Sequence, residues 1–125
     1  MTVIRTWREL KVWQKAHKLV LLTYKLTTRF PSEEKYGLTS QMRRAAVSVA
    51  SNIVEGFKRR TVRDSLSFYN TTDASLEELK YQYLLACDLS YLSKENRDFA
   101  NQIMDEVGMM LHAWAKSQKE NVASA

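Results

Sequence analysis

The sequence predicts an all-α protein folded as an up-down-up-down antiparallel four-helix bundle. The 125 residues include three glycines and one proline, which leaves few places for turns and favours a few long helices. Apolar residues recur at alternating intervals of three and four, and no period-two run predicts a strand. The length is that of one domain. We place it at residues 1–117, followed by a flexible polar tail at residues 118–125.

The first helix is predicted from about Trp7 to Thr28. Its apolar seam has the bundle spacing and consists of Leu10, Trp13, His17, Val20, Tyr24 and Thr27. The histidine lies on this seam, so we expect a hydrogen-bonded core residue rather than a ligand or a base. Phe30 precedes Pro31 and is biased away from helical geometry, so the chain turns before Gly37.

The second helix is predicted to begin near Thr39 or Ser40, either of which suits an N-cap, and to end in the basic segment 58–60. One face carries mostly small apolar residues, which lets a neighbouring helix approach closely. These residues are Met42, Ala45, Ala46, Val49, Ile53 and Phe57. Val47 and Val54 widen the apolar arc beyond what one core requires, which indicates a second buried surface and self-association.

The third and fourth helices are predicted from a capping pattern and two apolar seams. Thr61 and Asp64 match a capping box and place the start of the third helix. Its seam is Tyr69, Thr72, Leu76, Leu79, Tyr83 and Ala86. The pattern lapses at 88–92, and Ser93 with Glu95 gives a start for the fourth helix. The residues it is expected to bury are Phe99, Ile103, Val107, Met110 or Leu111, and Trp114.

Four segments carry a resemblance to a known family. They are VWQKAH at 12–17, FPSEEKYGLTSQMRRAAVS at 30–48, SNIVEG at 51–56 and SLEEL at 75–79. Together they resemble the four-helix-bundle proteins encoded within intervening sequences of bacterial 23S ribosomal RNA, over nearly the whole chain. Ala50 stands where such proteins often carry proline, and Ala74 where a glycine usually precedes the SLEEL-like element. Alanine is the best helix former, so neither departure threatens the fold.

The resemblance also implies an assembly. Proteins of that family form ring-like homopentamers, which predicts that helices of adjacent subunits pack through the broad face of the second helix. The related accessory variability determinants form basic rings that bind nucleic acid. That analogy supports a nucleic-acid-binding surface but assigns no sequence specificity.

Charge is distributed unevenly along the chain. The net charge is +5, but residues 1–60 carry thirteen basic and four acidic residues, a balance of +9, whereas residues 61–125 carry six and ten, a balance of −4. Two outcomes compete. The basic half faces a polyanion, or the two halves neutralise one another within the fold or an oligomer.

The sequence predicts a cytoplasmic protein with no membrane partner. Arg5, Arg8 and Glu9 interrupt the stretch where a signal peptide would need an apolar core. The longest apolar run, 19–22, is far shorter than the roughly 20 residues of a membrane span. Cys87 is the single cysteine, which fits a reducing compartment.

A stripe of basic residues runs along the first helix, two positions from its predicted seam and therefore on the opposite side. It consists of Arg8, Lys11, Lys15, Lys18, Lys25 and Arg29. A helix of about 20 residues spans roughly 30 Å, a length over which a duplex presents many phosphates. Arg44, Lys58, Arg59 and Arg60 complete the candidate nucleic-acid-binding set, and Phe57 is a candidate for base stacking. The alternative is a charged face that only solvates a surface helix.

Arg43 lies within the apolar arc of the second helix. A buried guanidinium needs a carboxylate or several carbonyls. We therefore hypothesise a pair with Glu77 or Glu78 of its own or a neighbouring subunit, the alternative being an arginine that extends along apolar surface to water. The candidate interface residues are Arg43, Val47, Val54, Glu77 and Glu78.

Enzyme motifs are missing from the sequence: it has no paired Glu-x-x-His, no His-Glu-x-x-His, no P-loop and no Gly-rich phosphate cradle. His112 is expected at the surface, and Cys87 as a small core residue. We predict a non-enzymatic protein without cofactor, metal or small-molecule substrate. It is expected to self-associate and to bind RNA or DNA through phosphate-led, sequence-tolerant contacts. The alternative is a protein-interaction scaffold whose basic half is neutralised within the oligomer or by a partner.

Overall fold

Four α-helices and two short 3-10 helices make up the secondary structure of the computed structural model, which describes residues 3–124 and shows no strand within them. The α-helices are α1 (Lys11–Thr27), α2 (Leu38–Phe57), α3 (Val62–Asp88) and α4 (Lys94–Ser124). Each helix packs against the next one in the chain, and α4 packs against α1. The short connections make neighbouring helices antiparallel. The all-α, four-helix prediction is confirmed.

Helix α1 is rotated relative to the prediction. A 3-10 turn, Trp7–Glu9, precedes it, and its buried residues are Val12, Ala16, Leu19, Thr23 and Thr27. These lie mostly one residue before the predicted seam, and one residue is about 100° of rotation. Trp13 and Val20 are therefore half-buried, while His17 and Tyr24 are exposed. The predictions of a core His17 and of a cationic stripe opposite the core are wrong, because the large aromatic residues lie beside the core and smaller residues fill it.

Buried hydroxyl groups connect α1 to α3 across the core. Thr23 Oγ1 donates to Leu19 O at 2.9 Å and lies 2.8 Å from Tyr83 Oη. Thr27 Oγ1 donates to Thr23 O at 2.7 Å. Burial raises the pKa of Tyr83 to about 12, so the phenol stays protonated at neutral pH. These hydrogen bonds let two threonines occupy core positions without unpaired polar groups.

Helix α2 begins with a cap that the sequence did not predict. Its N-cap is Gly37, without a side-chain cap. The Glu34 carboxylate instead accepts from Leu38 N at 3.1 Å, and its second oxygen accepts from Tyr91 Oη at 2.9 Å. Thr39 and Ser40 lie inside the helix, so the prediction that either caps it is wrong.

Helices α2 and α3 share the most extensive contact of the bundle. The small-residue face of α2 permits it: a Cβ added to Gly56 would lie 2.9 Å from Tyr69 Cδ1 and closer still to Cε1. Thr72 Oγ1 donates to Val49 O at 3.1 Å, an interhelical bond that a close approach allows. The prediction that a neighbouring helix approaches this face closely is confirmed.

The predicted starts of α3 and α4 are confirmed, and in each helix the hydroxyl of the N-terminal Thr or Ser accepts from a backbone N–H of the first turn. Thr61 Oγ1 accepts from Asp64 N, and Ser93 Oγ accepts from Asn96 N, each at 3.1 Å. All six predicted seam residues of α3 are buried. In α4 the prediction is wrong for Phe99, which is 54% exposed. The buried residues of α4 are Ala100, Ile103, Met104, Val107 and Leu111.

The last turns of α4 continue through the segment predicted to be a tail. The helix extends to Ser124, and Ala125 lies outside the described residues. The domain limit at residue 117 and the flexibility of residues 118–125 stay predictions.

Candidate nucleic-acid surface and subunit interface

Two basic segments that are far apart in the sequence meet at one end of the bundle. The turn Trp7–Glu9 packs against α2, and the antiparallel course of α1 and α2 makes this the C-terminal part of α2. The rings of Phe57 and Trp114 lie 6.5 Å apart, which places the last residue of α2 beside the C-terminal half of α4. We call this region the basic end and define it by its exposed cations. They are Arg5, Arg8, Lys11, Lys58, Arg59, Arg60 and Arg63.

Within the part of the chain that the structure describes, the cations of the basic end have no carboxylate partner. Among the described residues, none of the seven takes part in an ion pair within 4.0 Å. The carboxylate of Glu9 accepts instead from the backbone N–H groups of Arg5 and Thr6, at 2.6 and 3.3 Å. The cationic charge of this end is therefore left facing solvent.

Two arginines of the basic end lie over aromatic rings. The Arg8 guanidinium lies 4.2 Å from the centroid of Trp7, and that of Arg59 lies 4.4 Å from the centroid of Phe68. Arg59 Nε also donates to Glu55 O at 3.3 Å. Such contacts orient a guanidinium without neutralising its charge.

The other basic residues of the α1 stripe, Lys15, Lys18, Lys25 and Arg29, lie in different environments. Lys15 is half-buried and forms an ion pair with Glu106 of α4, so this candidate is neutralised within the fold. Lys18 and Lys25 are exposed along α1. Arg29 lies near the opposite end of the bundle, where it lines a cleft of about 600 Å³ together with Lys94. The ten candidates therefore do not form one continuous surface.

The ring of Phe57 is half-buried against the core and next to Trp114, and its stacking on nucleic acid stays a prediction. Further aromatic side chains near the basic end come from α1 and the turn before it, where Trp7 and Trp13 are half-buried and His17 is exposed. They were missed because Trp7, Trp13 and His17 were interpreted as core or interface residues.

Arg43 contacts α1 within the chain. Its Nε donates to Thr27 Oγ1 at 2.9 Å, its Nη2 donates to Tyr24 O at 3.4 Å, and its guanidinium lies 4.7 Å from the Tyr24 ring centroid. Within the chain, the hypothesis of a pair with α3 is wrong, because this side of α2 faces α1. Glu77 pairs with Lys80, and Glu78 accepts from Gln82, so each has another partner. Pairing between subunits stays a prediction.

Arg43, Arg44 and Val47 line a cleft of about 500 Å³ between α1 and α2. Lys35 and three exposed or half-exposed apolar residues complete its rim, with no acidic residue among those that line it. The apolar residues are Tyr24 at 43%, Tyr36 at 88% and Val47 at 39% exposure. Val54 is half-buried on the same helix. The broad apolar arc predicted for α2 is thus partly open to solvent.

The groove between α3 and α4 carries charges of both signs. Leu84 is 43% exposed and lines a cleft with Lys80, Arg97 and Asp105. Lys80 is paired with Asp105 and Glu77. Burial alone would lower the pKa of Lys80, but Asp105 and Glu77 outweigh it and raise the pKa. Farther along the groove, a Cβ added to Gly108 would meet no atom within 4 Å.

The described residues carry neither a metal-binding cluster nor a membrane span. No group of three His, Cys, Asp or Glu residues is arranged to hold a metal ion there. His112 is exposed, as predicted, and Cys87 is half-buried. None of the helices in residues 3–124 has the length and apolar character needed to cross a membrane.

Comparison with known proteins identifies the family. The model of the 23S rRNA-intervening sequence protein family matches residues 8–113, most of the chain. The chain belongs to this family. Among solved structures, the intervening-sequence protein is similar to a protein of unknown function from the S23 ribosomal protein family of Bacteroides thetaiotaomicron. That similarity has a TM-score of 0.75 at 19% identity and covers 84% of this chain and 98% of the other. At this identity it shows the fold alone. No curated protein matches the chain.

The family match includes the α2–α3 contact and most of the basic end, but it assigns neither a ligand nor an activity to the intervening-sequence protein. Arg5 and Arg63 were missed by the sequence analysis. A signal for Arg63 was available, since it lies two residues after the cap Thr61 and so follows the basic segment 58–60 closely in space.

Proposed function

We propose that this intervening-sequence protein is a non-enzymatic, self-associating helical bundle that binds RNA or DNA through phosphate contacts at its basic end. The observation that carries the proposal is the meeting of seven exposed cations without carboxylate partners among the described residues. Such a surface attracts a polyanion and releases its counterions, largely independently of base sequence.

Salt dependence is the first test of this proposal. Affinity for a labelled RNA hairpin is expected to fall steeply between about 50 and 200 mM salt, with a log–log slope of about −4 or steeper if at least five of the seven cations contact phosphates. Fluorescence anisotropy at several salt concentrations measures the slope. Absence of binding at the lowest salt concentration contradicts the proposal.

Self-association is supported by two unlike surfaces on opposite sides of the bundle. The α1–α2 cleft is cationic and aromatic, while the α3–α4 groove has charges of both signs around the exposed Leu84. A ring requires such a heterologous pairing, in which one surface of each subunit meets a different surface of the next. Arg43 would then lie opposite Glu77 or Glu78 of the neighbouring subunit. The resemblance implies five subunits.

Val47→Glu tests this interface. Val47 is exposed in the chain, so the substitution is expected to leave the helical content unchanged. It places a carboxylate opposite Glu77 and Glu78 of the neighbouring subunit and within reach of Arg43, one turn before it. It should therefore weaken the proposed pairing and convert most of the oligomer to monomer at micromolar concentration, since like charges facing one another across a contact are costly. Native mass spectrometry measures the assembly, and Gln102→Glu, at an exposed position of α4 that lines neither cleft, is the matched control. A monomeric parent protein, or an intact oligomer in Val47→Glu, contradicts the interface.

The second candidate function is a protein-interaction scaffold. The Lys15–Glu106 pair favours it, because one cation of the basic half is neutralised there by a carboxylate of the acidic half. The salt titration separates the two functions, since a scaffold would not bind the hairpin.

A further inference from the structure

Three aromatic side chains form a connected series on the outer side of α1, beside the basic end. The ring centroids of Trp7 and Trp13 lie 4.7 Å apart in an edge-to-face arrangement at 65°. Those of Trp13 and His17 lie 5.1 Å apart with the planes inclined by 12°, a stacked pair. We call Trp7, Trp13 and His17 the aromatic ladder.

The aromatic ladder is anchored at one side and open at the other. Trp7 and Trp13 are half-buried against the core, whereas His17 is exposed. Trp13 stacks on the imidazole, and the exposure of His17 leaves part of this ring accessible to a planar ligand. His17 does not contribute to the packing of the core, because the buried residues of α1 lie on a different face of the helix.

Cations flank the ladder on the side of the basic end. Arg8 lies over Trp7, and Arg5 and Lys11 are its neighbours along the chain. Aromatic rings beside a cationic groove are the combination that binds single strands, because the rings stack on bases while the cations contact the backbone. The bases of a duplex are already stacked on one another and cannot stack on the aromatic ladder.

We propose that the aromatic ladder stacks an unpaired nucleobase, so that the protein prefers single-stranded RNA or DNA to a duplex. This inference rests on the proposed function, since the basic end supplies the phosphate contacts. Every base has a π-face, so the preference is for unpaired nucleotides rather than for a base sequence. A loop or bulge in a structured RNA presents the same group.

The experiment compares two probes on matched variants. The probes are an oligouridine of about twelve nucleotides, a length within the range of single-strand sites, and a duplex of the same length. His17→Ala is expected to weaken binding of the single strand about tenfold, the loss of one stacked base, and to leave duplex binding unchanged. His17→Phe restores the ring and should restore the affinity. The control is His112→Ala, at the other exposed histidine.

Tryptophan fluorescence gives a second readout. A base stacked on the ladder should quench the emission of the parent protein, and the duplex should quench it less. Unchanged single-strand affinity in His17→Ala, with both probes bound by the parent, overturns the ladder and leaves the proposed function standing. Failure of the parent to bind either probe at low salt overturns the proposed function and the ladder with it.

Discussion

Gly56→Ala is expected to lower the free energy of unfolding by about 1–3 kcal/mol, the usual cost of overpacking a core. The new methyl group would lie 2.9 Å from Tyr69 Cδ1 and closer to Cε1. The Tyr69 ring cannot easily move, because it is 4% exposed and its Oη accepts from Trp114 Nε1 at 2.9 Å. Urea unfolding followed by circular dichroism measures the loss.

Gly108→Ala is the matched control. Gly108 also lies inside a helix, but a methyl group added there would meet no atom within 4 Å. Alanine at this position is expected to raise the free energy of unfolding by about 0.5–1 kcal/mol, since glycine is the poorer helix former. Equal changes of the same sign at both positions would contradict the close approach of α2 and α3.

Charge reversal at the basic end is expected to have the largest effect on binding. The triple variant Lys58→Glu, Arg59→Glu and Arg60→Glu removes three phosphate partners and adds three repulsive charges. The slope of log affinity against log salt should become shallower by about three on a duplex, and the affinity should fall about 100-fold or more at low salt. Titration of the labelled hairpin with the parent and the variant measures both changes.

The matched control reverses three exposed cations at the opposite end, Lys25, Arg29 and Lys94. It changes the net charge by the same amount but leaves the basic end intact, so we expect it to keep most of the affinity. Equal losses of affinity in both variants would mean that binding depends on the overall charge and is not localised at the basic end. Circular dichroism and native mass spectrometry of both variants establish that the fold and the assembly are unchanged.

The seams of α2 and α3 were predictable because apolar size and burial coincide there. In α3, Leu76, Leu79 and Tyr83 are large residues at the core face, so the pattern indicates the correct side. In α1 the core face carries Ala16 and Thr23, while larger rings lie beside it. Hydrophobic size therefore indicates the wrong face. A threonine whose hydroxyl is satisfied by the preceding turn is apolar in its packing, and the predicted seam of α1 included Thr27 but omitted Thr23.

Most cations of the basic end could be chosen as candidates from the sequence, but their proximity in space could not be predicted. Arg8, Lys11 and the segment 58–60 come together only when the antiparallel course of α1 and α2 is known. Arg43 illustrates the opposite case. Its need for a partner was predictable, but the partners are a carbonyl, a hydroxyl and an aromatic ring of α1 rather than a carboxylate. A sequence pattern can predict that the guanidinium of Arg43 needs hydrogen-bond partners, but it does not predict which neighbouring groups those partners are.

The hydrogen bond from Tyr91 to Glu34 has a mechanical consequence. It fastens the α1–α2 connection to the α3–α4 connection, at the end of the bundle away from the basic end. Within residues 3–124, one interhelical connection, between α2 and α3, lies at the basic end. The basic end has interhelical hydrogen bonds of its own, from Ser65 Oγ to Gly56 O at 2.6 Å and from Trp114 Nε1 to Tyr69 Oη at 2.9 Å. The loss of the Tyr91 hydroxyl is therefore expected to loosen the connections at one end and to leave in place the helix contacts that position the cations at the other.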